Sequence, residues 1–153
     1  MSRRMQIPGL VILLFIVCFF PLHAQRPSVG VAIDPVSMIG TTLDELLGLF
    51  GTPDSVYAVR GLEEWQDDVV FVYPHGDYYV YGNRVWQLSI ASAGGINIGD
   101  TRAVVALVLD TKVEFHFDSA FYFLDDGDWP LMIRYDFDRD GKVRVIFIYR
   151  TDF

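Results

Sequence analysis

The residues best suited to chemistry stand near the end of the chain. Asp136, Asp138, Asp140 and Gly141 follow the pattern D-x-D-x-D-G, with Val143 at the apolar place that comes next. That spacing is the first half of a calcium loop, in which carboxylate oxygens converge on a hard cation. A complete loop ends in a bidentate glutamate at position twelve, and this chain has Phe147 there. The same residues also suit a hairpin turn, because Asp and Gly supply the backbone angles that tight turns require. We prefer the turn; a calcium or small-ligand site at Asp136, Asp138 and Asp140 is the alternative.

Other candidates are weaker. Glu63, Glu64, Asp67 and Asp68 are close enough for paired acid and base work, yet with Gly61 and apolar strands around them they read as the polar end of a hairpin. Asp125, Asp126 and Asp128 read as a solvated acidic loop. His75 and His116 have no cysteine, HExxH spacing or second histidine nearby, so zinc is not expected. GxSxG, a glycine-rich phosphate loop and a P-loop lysine are all missing from the sequence. The expectation is a protein without catalysis.

The N-terminus carries an address. Arg3 and Arg4 precede an apolar run from Leu10 to Phe20, followed by Pro21 and Ala24. This is the order of a secretory signal peptide, with residues 1–24 removed, and the run is short for a bilayer span. An uncleaved anchor, or a lipid on Cys18, would instead tether the chain; Val17 ahead of Cys18 does not favour acylation. Cys18 is the sole cysteine, so a cleaved chain has no disulfide and no thiolate nucleophile. Twelve basic residues face 20 acidic ones, and losing Arg3 and Arg4 with the leader takes the formal charge from −8 to −10. Such a surface repels nucleic acid and anionic lipid and favours a basic protein or cations.

These residues need a scaffold, and its best-marked element is the stretch Ile39 to Pro53. Thr42 and Glu45 have capping-box spacing, Leu43, Leu46, Leu47 and Phe50 form one apolar face, and Gly51 and Pro53 stop the helix. Residues 25–37 read as a leader, with a short strand expected at Val29 to Ile33. β-Branched and aromatic runs bounded by Gly, Pro, Asn or Asp then predict strands over 55–60, 69–73, 78–81 and 84–91. After Gly94 and Gly95 the outline recurs: Ile98 to Thr101 echo Ile39 to Thr42 at an offset of 59, and strands are expected over 112–117, 120–124, 131–137 and 142–150. The predicted fold is α+β: a single domain over 38–153 made of two tandem helix-plus-four-strand meander units, 38–92 and 97–153. Together they would form one eight-stranded antiparallel sheet with helices on one face.

The IGTTLDELLGLFGTP stretch, the aromatic meander with Trp65, Tyr73 and Trp86, and the recurrence resemble the tandem-repeat fold of the secreted β-lactamase inhibitor proteins. One unit is also similar to the small outer-membrane lipoprotein of the β-barrel assembly machinery. The resemblance implies a non-catalytic protein that binds through its open sheet face, or a structural component of the outer membrane. Absent disulfides depart from the first relative, and the poor acylation site departs from the second.

Alternation picks out the contact residues. Ile146 and Ile148 align with Leu88 and Ile90 and should face the helices, which leaves Val145, Phe147 and Tyr149 on the opposite face. Aromatic residues there are a candidate partner surface. The expectation is an exported periplasmic or secreted module that binds another protein and has no membrane span after cleavage.

Overall fold

A computed structural model of the protein describes residues 34–61, 67–124 and 129–152, all within the compact unit Ala32–Phe153. The leader, Cys18, the expected strand at Val29 to Ile33, Glu63, Glu64, Trp65 and the loop with Asp125, Asp126 and Asp128 lie outside the described residues.

A 3₁₀ turn, Pro35–Met38, leads into helix α1, Leu43–Phe50. Helix α1 starts as its chemistry demands. The Glu45 carboxylate accepts from Thr42 N at 2.9 Å, and Glu45 N donates to the Thr42 hydroxyl at 3.3 Å. The bond from Thr42 N also holds the Glu45 carboxyl below its ordinary titration range. Gly51, at φ 74, ends the helix by donating to Leu47 O. Strands β1 (Ser55–Val59), β2 (Asp68–Tyr73), β3 (Gly76–Tyr81) and β4 (Arg84–Ile90) follow. A small ribbon, β5 (Ser92–Ala93) with β6 (Ile96–Asn97), precedes helix α2 (Arg102–Leu109). The chain closes with β7 (Val113–His116), β8 (Ser119–Leu124), β9 (Leu131–Phe137) and β10 (Val143–Arg150).

Eight of these strands form one antiparallel sheet in the order β1-β2-β3-β4-β10-β9-β8-β7. The β2–β3 and β3–β4 hairpins turn tightly; Gly82 and Asn83, both in the left-handed region at φ 54 and 66, suit the twist of the second. Both helices are tied to such turns. Leu43 N donates to Asn83 O, and Arg102 N donates to Gly141 O, so each helix begins where a hairpin reverses. The β7–β8 turn is costlier, because Phe117 adopts φ 35 while 99% exposed, with Arg102 donating to its carbonyl.

Two expectations are corrected here. The chain is mainly β rather than an α+β layer, and two tandem units with helices spread over the sheet are not what it shows. Length is the physical reason: an eight-residue helix is about 12 Å long, against a sheet about 34 Å wide at the usual strand spacing. Helix α1 buries only Leu46, and α2 only Val105 and Leu109. Nor do the halves keep separate interiors, since a single buried cluster runs from Leu88 and Ile90 through Ile146 and Ile148 to Ile133 and Tyr135. The Tyr135 hydroxyl satisfies itself there by donating to Ala93 O at 3.2 Å.

One face assignment changes as well. Alternation put Trp86 with Leu88 and Ile90, but a bulge between Tyr79 and Val80 shifts the register, so Val85 takes the buried place. Trp86 instead donates its indole Nε1 to Asp68 Oδ1 at 2.7 Å. Asp68 is 9% exposed, and burial raises its carboxyl above the ordinary value of 3.8, with the Trp86 bond opposing.

Two measurements test this account. Leu46→Ala should lower unfolding stability by about 3 kcal/mol through the cavity it leaves, whereas Leu107→Ala, at an 82% exposed position, should change it by less than about 0.5 kcal/mol; urea unfolding of both reads the contrast. For Asp68 the folded value lies above the unfolded one, so its favourable contribution is complete below pH 3.8 and is lost as pH rises through the folded value. Asp68→Asn keeps an oxygen for Trp86 and removes that loss. Its urea midpoint should exceed that of the wild type at pH 7, and the two should converge at about pH 3.

Candidate functional site: the open face of the sheet

Residues opposed across neighbouring strands point to the same side, so the register reads out the face opposite the core. One row runs Val72, Asp77, Ser89, Phe147, Arg134 and Phe121 across β2, β3, β4, β10, β9 and β8. The next runs Tyr57, Val70, Tyr79, Gln87, Tyr149 and Met132 from β1 to β9. Val145, Asp136 and Ser119 belong to a third. The sequence-derived contact residues therefore come together on this face. Val145, Phe147 and Tyr149 are half-buried, while Ile146 and Ile148 between them are at 0% and 1% exposure.

The face has its own packing. Val70 is fully buried although it lies on this side and outside the core cluster; its neighbours in the row are Tyr57 and Tyr79. Tyr79 meets Phe147 edge to face, with ring centroids 6.4 Å apart. On the far side of Phe147 the Arg134 guanidinium lies 4.6 Å from the ring centroid. Arg134 Nε makes an ion-pair contact with Asp136 Oδ1 at 3.1 Å without hydrogen-bond geometry, and the Ser119 hydroxyl donates to the same oxygen at 2.8 Å. Burial, and then the neighbouring Tyr57, push the Tyr79 phenol up to about 12, with Asp77 and Asp68 adding to the shift. Burial likewise raises Tyr149. These shifts leave both phenols neutral at physiological pH, as hydrogen-bonding aromatic surface.

The acidic motif is divided between two places. Asp136 sits on the open face in β9, whereas Asp138 and Asp140 occupy the β9–β10 turn. There Asp138 Oδ1 accepts from Asp140 N and Lys142 N, each at 2.9 Å, which is how an Asp shapes a turn. Among the described residues no group of three acidic or histidine side chains is arranged to hold a metal ion. Asp67 is occupied by Arg60 at 3.0 Å and by Gly61 N, and Asp68 by Trp86. His75 packs in a ring cluster with Phe50, Tyr73 and Tyr78, and His116 lies against Phe121.

Sequence reasoning missed Tyr57, Tyr79, Arg134 and the Asp68–Trp86 bond. Period-two alternation in Tyr78 to Tyr81 was the available signal, yet strand alternation cannot say which rings share a side until the register of the neighbours is known.

No family model matches the chain, and no curated protein does. The fold is similar to part of the crystal structure of an extracellular protein containing a SCP domain from Bacillus anthracis str. Ames, at TM-score 0.52 and 13% identity, over 84% of this chain and 49% of that one. A cysteine-rich secretory protein from Staphylococcus aureus subsp. aureus Mu50 aligns at TM-score 0.49 and 15% identity, over 76% of this chain and 46% of its own. The chain thus spans about half the length of the solved structures it matches. The first of these likenesses corrects the resemblance to the β-lactamase inhibitor proteins and the assembly lipoprotein. Its most specific element was the capped helix with a Gly-Thr-Pro end, and the bonds of Thr42, Glu45 and Gly51 are local chemistry that any fold can use. What the first likeness establishes is a fold shared with part of an extracellular protein.

Proposed function

We propose that this chain is an exported, non-catalytic protein that binds another protein through the open face of its sheet, with Val145, Phe147 and Tyr149 at the centre of contact. The observation that carries the reading is the aromatic row on the side away from the core, where Tyr79, Phe147 and Arg134 are already stacked. Rings held by neighbours lose little conformational entropy on binding, which is what a hot spot requires. Export is supported by the basic, apolar and small-residue order of the first 24 residues and by the extracellular protein whose fold is similar. An excess of 20 acidic over 12 basic residues favours a partner with a basic surface.

A photoreactive phenylalanine analogue at position 147 of the full chain tests the reading in the producing cell. It should yield one discrete adduct with another protein. Phe147→Ser should then weaken the purified complex by about 2 kcal/mol, roughly thirtyfold, at a temperature where urea unfolding shows the variant, which loses its packing against Tyr79 and Arg134, still fully folded. An adduct spread over many proteins, or unchanged affinity in the serine variant, would sink the assignment.

A further inference from the structure

The eight-stranded sheet ends in β7 on one side and β1 on the other, and the two edges differ in kind. Along β7 stand Glu114 and His116, 3.9 Å apart, and Phe117 at φ 35 breaks the line of the strand just after them. Charged groups and local distortion are the usual means of keeping a foreign strand off an edge. Strand β1 has neither. Its sequence, SVYAV, holds no charge and no proline, its register with β2 is unbroken from Ser55 to Val59, and every one of its residues is exposed.

The inner neighbour fixes which backbone groups of β1 are free. Asp54 N donates to Val72 O at 2.8 Å, so the Val72 carbonyl points at β1. Backbone groups alternate in direction along a strand, so Val70 and Asp68 point the same way, and Ser55, Tyr57 and Val59 opposite them bond to β2. Val56 and Ala58 therefore turn their N–H and C=O groups outward, where no other strand lies among the described residues. Their side chains belong to the core side, in line with Phe71 and Val69, and Val56 and Val69 are exposed there as apolar surface that the short helix α1 does not cover.

Asp54 to Arg60 reads D-S-V-Y-A-V-R, and this string complements itself when two copies run antiparallel about Tyr57. Val56 then stands opposite Ala58 of the second copy, which joins the outward backbone groups of both. Ser55 stands opposite Val59, and Asp54 stands opposite Arg60 at each end of the seam. Asp54 is exposed and takes part in no ion pair among the described residues. Arg60, its side chain 81% exposed, gives Nη1 to Asp67 and keeps its other donors. Moving the axis to Val56 or to Ala58 loses both charge pairs, so the ends select the register.

We propose that β1 pairs with β1 of a second copy of this chain, antiparallel about Tyr57, so that two sheets become one. Tyr57 lies in the row that carries Tyr79 and Tyr149, and across the axis its Cα stands about 4.5 Å from that of its counterpart. The open faces of the two copies are then continuous, whatever those faces bind. A five-residue seam is about 17 Å long and belongs to the small, weak class of interface. The acidic balance of 20 against 12 opposes association at long range, so the dimer needs salt near about 0.15 M to screen it.

Sedimentation velocity of the protein, purified as the producing cell makes it, from about 10 µM to about 1 mM should show a reversible monomer–dimer equilibrium. Asp54→Arg and Arg60→Asp each set like charges against one another at both ends of the seam, and each should weaken the dimer roughly tenfold. Mixing the two variants restores opposite charges at both ends, so the mixed pair should form as well as the wild-type pair, a recovery that no folding defect in either variant can produce. In the producing cell, a photoreactive phenylalanine analogue at position 57 should link two copies of the chain. A monomer across the whole range, single variants that dimerise like the wild type, a mixture no better than its parts, or capture at position 57 of a different protein or of the chain's own leader would each overturn the proposal.

Discussion

Four residue pairs between β4 and β10, from Ile146 with Ile90 to Tyr149 with Gln87, join two meanders that would otherwise each end in an edge. Everything else in the molecule follows from that seam. It gives the eight strands a single register, so alternation along any one of them is carried across to all the others. Ile146 and Ile148 then meet Leu88 and Ile90 on one side to close the core, while Phe147 and Tyr149 are committed to the other. A slip of one residue at the seam would exchange the two sets.

The two faces are stabilised by different means. On the core side, aliphatic residues are buried together with Tyr73, Tyr78, Tyr135 and Phe137, and short helices contribute a few residues each: Leu46 from α1, Val105 and Leu109 from α2. The open side is held by rings, hydroxyls and charges that satisfy one another, as in Arg134 with Phe147 and Asp136, or Trp86 with Asp68. Such a layer excludes water only partly, which leaves its rings positioned and still accessible. The Asp77 carboxylate, which burial raises, takes part in none of the ion pairs among the described residues.

Likeness to part of an extracellular protein fixes the fold and no more, given 13% identity. It also explains why the local signature of the first helix was a poor guide to kinship. A capping box and a glycine stop answer the needs of any helix end, so Thr42, Glu45 and Gly51 carry information about a boundary and none about ancestry. In the acidic turn Asp138 Oδ1 likewise serves a local need, accepting from Asp140 N and Lys142 N as an Asp in a turn does.

What the sequence determined by itself is what depends on neighbours along the chain. Strand positions are such a property, because the Gly, Pro and Asn punctuation and the β-branched runs act locally; so are the start and end of α1, and the alternation that separates Ile146 and Ile148 from Phe147 and Tyr149. Tertiary structure alone decided what depends on distant partners. It placed Trp86 on the Asp68 side through a bulge against β3, set Tyr57 and Tyr79 on the same side as Phe147, and laid Arg134 over that ring. It also decided that two short helices would add to a mainly β body rather than cover it, since helix length is written in the sequence but the width to be covered is known only once the strands have paired.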